Sequence, residues 1–283
     1  MRAALVLAAS VALVAAMSGC GGKSKPSAQP LSIGSFKDKA AAAIITGSDL
    51  QAKPGFGSKV DVTAPESLNT FSLRVEEAYA SYKRDPAKLD ELLKKFAADA
   101  DARMARGNTE ASFRDVRDVI LPLLKPQTAF RRLSDLPAVT PFPGNLRVAY
   151  AVQKPDSFML VTPADLERWQ QSVADIHRLA LANLLRETRR EQPLRCEEKL
   201  CGWASGDGYD AARFLVPELR AAIVGKIGPA VYAVPRESVY VALPIKLADR
   251  IKGKVEHDFV TAPNPVSRDL FVERGGELVV LSQ

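Results

Sequence analysis

The chain has 283 residues, of which 47% are hydrophobic and 25% charged, and its formal net charge is +6. This length is sufficient for one large or two small domains with substantial cores. Basic and acidic residues are interspersed, without the block of like charges that is typical of a nucleic-acid-binding arm.

The N-terminus has the pattern of a bacterial export signal. Arg2 precedes an apolar run from Ala3 to Met17, which is too short for a membrane-spanning helix. The end of this run, Met17-Ser18-Gly19-Cys20, resembles the lipobox of bacterial lipoproteins. The resemblance implies that residues 1–19 are a signal peptide and that Cys20 receives a diacylglycerol lipid. The alternative is an ordinary secreted protein with an early cysteine.

A lipid on Cys20 would place the protein at a cell membrane. Because Gly21 and not Asp follows the cysteine, we expect the outer membrane, facing the periplasm, if the source is Gram-negative. Removing residues 1–19, whose one charged side chain is Arg2, lowers the net charge from +6 to +5. We therefore expect the membrane as a partner through the N-terminal lipid, and no nucleic acid.

Lipidation of Cys20 would leave one pair of cysteines, Cys196 and Cys201. In an oxidising compartment, two cysteines at this spacing predict a disulfide. A redox-active pair and free thiols are the alternatives. With His177 and His257 as the sole histidines, the sequence predicts neither a metal site nor a cofactor.

Composition and hydrophobic period divide the remaining chain into four parts. Residues 20–34 are predicted to be a lipidated flexible tether, and residues 35–129 a mostly helical N-terminal subdomain. Residues 130–145 read as a proline-rich connector, and residues 146–283 as a mixed C-terminal subdomain.

The predicted N-terminal subdomain contains a helix over 36–45, a strand over 59–63 and a helical hairpin. The first helix of the hairpin opens at Ser67-Leu68 and buries Phe71, Val75 and Tyr79. The second follows Asp85-Pro86, which is a favourable helix start. A further amphipathic stretch runs from Asn108 to Ile120.

The C-terminal subdomain is predicted to contain three strand pairs, a helix starting at Ser172, and a helix after Asp207 that Pro217 kinks or restarts. The strand pairs are 146–152 with 157–162, 230–234 with 239–243, and 270–272 with 278–281. The fold class is therefore predicted to be α+β, with antiparallel strands packed on helices.

Several of these segments together resemble the uncharacterised bacterial YtpQ-like family over roughly residues 36–260. They are Tyr79-Ala80-Ser81-Tyr82-x-x-Asp85-Pro86, the strand pair around Val148 and Met159, Ala180-x-x-Asn183-Leu184, Asp207-Gly208-Tyr209-Asp210-Ala211, and the run from Gly228 to Glu237. Members of the family are typically cytoplasmic, so a lipidated chain with a cysteine pair departs from the pattern. The family has no established activity, and the resemblance implies none.

The densest polar cluster follows the cysteine pair, and its members are Trp203, Asp207, Tyr209, Asp210 and Arg213. We take these as candidate binding residues. Two neighbouring carboxylates act as acid and base only if burial separates their pKa values. The simpler interpretation is that both aspartates cap a helix and that Trp203 packs on the cysteine bridge.

Neither histidine predicts a catalytic triad. His177 lies on a helix flank beside Leu181 and Leu184, as a half-buried structural histidine would, and His257 is placed in a polar loop. No catalytic residue is therefore assigned. We expect a lipid-anchored envelope protein that binds another envelope protein or a small ligand without catalysis. The alternative is a hydrolase or small-ligand enzyme that uses Asp207, Asp210 and Arg213. A third hypothesis is redox chemistry at the cysteine pair.

Overall fold

The structure, a computed structural model of the protein, describes residues 30–65, 68–131, 133, 136–191 and 193–281. The predicted signal peptide, the predicted lipidation site Cys20 and most of the predicted tether lie outside these residues.

The described residues form an α+β fold, as predicted. The helices are α1 (Ile33–Gly47), α2 (Glu76–Arg84), α3 (Leu89–Arg106), α4 (Phe113–Val116), α5 (Pro163–Trp169), α6 (Val173–Glu191), α7 (Asp210–Arg213), α8 (Pro217–Ile227) and α9 (Ala248–Thr261). The strands are β1 (Gln51–Pro54), β2 (Lys59–Thr63), β3 (Thr70–Arg74), β4 (Ile120–Pro126), β5 (Val139–Phe142), β6 (Leu146–Lys154), β7 (Ser157–Leu160), β8 (Arg195–Glu197), β9 (Leu200–Trp203), β10 (Ala230–Arg236), β11 (Val239–Pro244), β12 (Leu270–Arg274) and β13 (Glu277–Val280).

The strands form two antiparallel sheets. Sheet A has the order β1-β2-β3-β7-β6-β4, and β5 also pairs with β6. Sheet B has the order β13-β12-β10-β11-β9-β8. Several neighbouring strands, among them β1–β2, β6–β7, β10–β11 and β12–β13, are consecutive in the chain and form antiparallel hairpins, whereas β3–β7 and β9–β11 pair across longer separations.

Sheet B is buried on both faces along β10. Tyr232 and Val234 belong to the large core that also contains sheet A residues, whereas Val231 and Ala233 pack beneath α9 on the opposite face. Because successive strand residues point to opposite faces, this alternation explains why the whole apolar stretch of β10 is buried.

Aromatic rings fill the space between the two sheets. Phe214, which lies between α7 and α8, has its ring centroid 5.7 Å from Phe142 of sheet A. The same ring lies 5.6 Å from Tyr232, 5.6 Å from Tyr240 and 5.2 Å from Phe271, all in sheet B. The segment around α7 is therefore positioned where the sheets meet.

The predicted division of the chain at residues 130–145 is wrong as a boundary between two structural units. Strands β3 and β4, from the predicted helical part, pair in sheet A with β7 and β6, from the C-terminal part. Residues 35–129 contain the predicted helices but also four strands, and the connector carries β5. These pairings join residues far apart in sequence, which hydrophobic period alone does not indicate.

Three local predictions also need correction. Residues 70–74 form β3 and not the start of a helix, because Phe71 faces the core as one of the alternating residues of a strand. The helical stretch after Asn108 ends early, and residues 120–126 form β4, which pairs with β6 along its whole length. His257 lies in α9 and not in a loop.

Other predictions are confirmed. The helix over 36–45, the strand over 59–63 and the three C-terminal strand pairs are present. Ser172 accepts a hydrogen bond from the Asp175 backbone N–H at 3.1 Å at the start of α6, as predicted. Among the helices of the described ranges, none combines the length and the apolar character that crossing a bilayer requires.

Candidate functional site

The cysteine pair closes the hairpin that precedes the candidate cluster. Cys196 in β8 lies directly opposite Cys201 in β9, and their Sγ atoms are 2.11 Å apart, at disulfide distance. Glu198 in the turn has φ 54°, a left-handed conformation that a two-residue hairpin turn of the favoured type requires. The predicted pairing of these two cysteines is thus confirmed in geometry.

Trp203 is buried in the core and does not offer a binding surface. It is 4% exposed, and its ring stacks on Tyr240 with centroids 5.5 Å apart and an interplanar angle of 14°. Offset stacking of this kind stabilises a packed interior. The assignment of Trp203 as a candidate binding residue is therefore corrected.

Arg213 is the centre of the cluster, and its side chain is 1% exposed. Its Nη1 donates to Asp207 Oδ1 at 2.9 Å and to Asp210 Oδ1 at 2.8 Å, and its Nη2 also donates to Asp207. Its Nε donates to Thr188 Oγ1 at 3.0 Å on α6. A guanidinium offers several donors in a fixed plane, and these contacts explain how it can be buried.

Asp210 is fully buried, and every contact it makes is internal. Besides Arg213, its carboxylate accepts from the backbone N–H of Ser205 at 2.8 Å, the Ser205 hydroxyl at 2.8 Å and the backbone N–H of Gly206 at 3.2 Å. Its role is therefore to close the loop that precedes α7, and the prediction that it caps the following helix is wrong.

Asp207 is the partly exposed member of the cluster, with 32% of its side chain accessible. Its Oδ1 accepts from the Tyr209 backbone N–H at 2.8 Å, which forms a local turn before α7. Burial raises the pKa of the Asp207 carboxyl, but hydrogen bonds from Arg213 and Tyr209 outweigh burial, so the pKa lies below its ordinary value of 3.8. Asp207 is therefore ionised at neutral pH.

Two further contacts connect this segment to the rest of the protein. The Tyr209 hydroxyl donates to Gln153 Oε1 of β6 at 2.7 Å, which joins the loop to sheet A. The Ala211 backbone N–H donates to the Glu237 carbonyl at 3.0 Å in the β10–β11 turn of sheet B. Burial raises the pKa of the Tyr209 hydroxyl, so this group serves as a neutral donor.

A cleft of about 370 Å³ lies beside the cluster, within the size range of small-ligand sites. Asp207, Tyr209 and Arg213 form one wall, and Leu121 of β4 and Leu184 of α6 are among its apolar lining residues. The structure therefore brings three of the five candidate residues to one cleft and places Trp203 and Asp210 inside the protein.

Three acidic and two basic side chains line this cleft. Asp118, Glu187 and Asp207 are the acidic residues, Lys154 and Arg213 are the basic ones, and Arg213 is already paired with Asp207. Asp118 and Glu187 are each paired with a surface arginine at 3.5 Å. Exposed pairs of this length contribute little energy, so both carboxylates can bind a cationic group.

Sequence reasoning missed Ser205 and Thr188, which complete the network around Arg213. A signal for Thr188 was present, because it continues the four-residue spacing of Ile176, Ala180 and Leu184 on the buried face of α6. A hydroxyl at the end of an apolar stripe indicates a buried polar partner. The sequence holds no comparable signal that this partner is Arg213.

His177 has the structural role that was predicted for it. It is half-buried, and its Nδ1 lies 3.0 Å from the Tyr150 hydroxyl, which is also 2.5 Å from Thr140 Oγ1. Burial lowers the pKa of His177 and raises that of Tyr150 to about 12. Within the described residues, no three histidine, cysteine or acidic side chains are grouped as a metal site requires.

Comparison with known proteins adds no relative to this description. The chain matches no protein-family model, and no curated protein or solved structure matches it. The geometry and chemistry of the site are therefore what bears on the function of the protein.

Proposed function

We propose that this protein is a lipid-anchored binding module of a bacterial cell envelope, and that the cleft beside Asp207 holds a basic side chain of a partner protein. We also propose that the chain is a lipidated member of the YtpQ-like family. The lipid anchor is supported by the Met17–Cys20 pattern.

One observation carries the binding proposal: the Asp207 carboxylate is ionised and held at the wall of a preformed cleft by the buried Arg213. A side chain fixed by such contacts loses little freedom when it binds a partner. The carboxylates of the cleft suit a positive charge, and Leu121 and Leu184 suit an apolar stem. Lysine and arginine side chains combine these two features.

The same geometry disfavours the hydrolase alternative. An acid–base pair needs one carboxyl group that holds a proton near neutral pH. Arg213 instead stabilises the ionised form of Asp207, and Asp210 has no access to a substrate because it is fully buried.

The test is photo-crosslinking in intact cells from a photoreactive amino acid at Lys154 on the rim of the cleft. We expect a reproducible crosslinked protein whose yield falls about tenfold in Asp118→Asn, because one carboxylate that contacts a cation is worth about a factor of ten. This substitution leaves the Arg213 network intact. Asp99→Asn, on the exposed surface of α3, is the control and should change nothing.

Three outcomes separate the parts of the proposal. An equal yield in Asp118→Asn and Asp99→Asn would contradict binding in the cleft. If Cys20→Ser releases the chain from membranes and the crosslink persists, binding in the cleft is supported and a requirement for the lipid anchor is contradicted. Metabolic labelling with a fatty acid, expected for wild type and lost in Cys20→Ser, tests the anchor by itself.

A further inference from the structure

A second groove lies on the outer face of sheet B, away from the sheet A side where the Asp207 cleft is found. Its volume is about 380 Å³. Helix α9 packs over β10, and beside it a groove runs along β11 and the end of β9, where Val241 is partly exposed and Leu200 is exposed. The groove is the space between α9 and the hairpin closed by the Cys196–Cys201 pair.

The floor and walls of this groove are apolar. Val239, Val241 and Leu243 of β11 form the floor, since alternate residues of a strand face the same side. Ile251 and Val255 of α9 form one wall.

The other wall is formed by Leu200 of β9, which is 45% exposed, and by Ala204. A leucine held at this exposure beside an apolar floor leaves a continuous surface that a ligand can cover.

Positive charge surrounds this apolar surface. Arg236 stands at the end of β10, and Arg250 and Lys254 lie one turn apart on α9. Lys254 pairs with Asp258 at 3.1 Å, and Asp258 also lines the groove. Within the described part of the chain, Arg236 and Arg250 make no ion pair. The rim therefore carries a net positive charge with two guanidinium groups available to an anion.

The floor of the groove offers side chains but no free backbone groups. β11 is hydrogen-bonded to β10 on one side and to β9 on the other, so a peptide cannot add to it as a further strand. The backbone polar groups of an extended peptide pressed onto this floor would lose water without gaining partners. An acyl chain has no such groups and loses nothing polar on burial.

We propose that this groove binds a single-chain anionic lipid from the membrane, with its acyl chain on β11 and its carboxylate or phosphate at Arg236 and Arg250. Apolar burial holds the chain, and charge-assisted hydrogen bonds select the headgroup. This site is independent of the Asp207 cleft and has the opposite charge.

The test uses membranes that contain the full chain and a dodecanoate carrying a photoreactive diazirine. After irradiation, peptide mapping should place the label on the segments that contain Val241 and Ile251–Val255. The amine with the same tail should label these segments about tenfold less, because it replaces a favourable charge contact with repulsion. Arg250→Glu should lower carboxylate labelling by a similar factor. Lys252→Glu makes the same charge change on α9 outside the groove and should have no effect.

The proposal is overturned if the amine labels the groove as well as the carboxylate, or if Arg250→Glu and Lys252→Glu lower labelling equally. Unchanged thermal unfolding of both variants ensures that the comparison concerns binding and not folding. A photoreactive residue in place of Leu200 provides a second experiment, which identifies what occupies the groove. Crosslinks from this position to a protein, or to the N-terminal segment of this chain in place of lipid, would show another occupant and would also overturn it.

Discussion

Removing the Arg213 side chain should strongly destabilise the protein. In Arg213→Met, the buried Asp210 carboxylate loses its cationic partner but keeps the three donors from Ser205 and Gly206. Breaking a buried ion pair by removing one partner costs about 3–5 kcal/mol, and the remaining donors favour the lower end of that range. We therefore expect a loss of about 3 kcal/mol, a large part of the stability of a typical domain.

Asp210→Asn should cost less than Arg213→Met, because Arg213 keeps its contacts with Asp207 and Thr188. The double variant, which combines Arg213→Met and Asp210→Asn, shows whether the two side chains stabilise the protein as a pair or independently. If the two side chains act as a pair, the double variant should be more stable, by about 2 kcal/mol, than the sum of the single losses predicts.

The assay is urea unfolding of the full chain in nonionic detergent, followed by tryptophan fluorescence. Trp169 and Trp203 are 6% and 4% exposed, so unfolding changes the surroundings of both. Additive losses in the double variant would refute the inference that Arg213 and Asp210 are coupled. A loss near zero in Arg213→Met would refute the buried network altogether.

Two further predictions concern positions outside the cluster. Gly202→Ala should lower the free energy of unfolding by about 3 kcal/mol, because a Cβ atom there would overlap the Tyr240 carbonyl oxygen. Gly253→Ala in α9 meets open space and should raise the free energy of unfolding by about 0.5–1 kcal/mol. Equal urea midpoints for the two variants would contradict this reasoning. Burial lowers the pKa of His177 below 6.5, so the unfolded chain takes up a proton first and stability should fall as pH drops below 6.5. His177→Gln should flatten this dependence, and urea midpoints measured across the range test it.

Helices and strands could be predicted from the sequence where residues within one short window determine them. The helix after Ser172 has its cap and its apolar stripe in the same window, and the β10–β11 pair has two apolar stretches rich in valine and tyrosine around a short turn. Residues 70–74 show the limit of this reasoning. Phe71 and Val75 have helical spacing, but pairing of β3 with β2 and β7 decides the structure. Tertiary contacts override a local period of this length.

The candidate site shows a similar limit. The sequence places Asp207 and Asp210 at the start of a helix, where capping would account for both without further partners, but neither side chain caps α7. Their observed partner, Arg213, is close in sequence, and its buried position depends on Thr188 in a distant helix. The sequence contains the residues of the network, but the network is buried only because the two sheets pack against each other. Burial is what distinguishes a surface cap from an internal ion pair.

The polar segment around α7 therefore serves first to join the two sheets. Arg213 connects the loop to α6, Tyr209 connects it to β6, and Phe214 fills the interior between the sheets. A charged network in that position fixes one relative arrangement of its partners, since any other leaves a buried charge unpaired. The proposed binding at the Asp207 cleft depends on this arrangement, because Asp207 and Tyr209 come from the segment around α7, whereas Asp118 and Leu121 come from β4 and the turn before it. A substitution such as Arg213→Met should consequently weaken partner binding through loss of structure, and Asp118→Asn should weaken it without that loss.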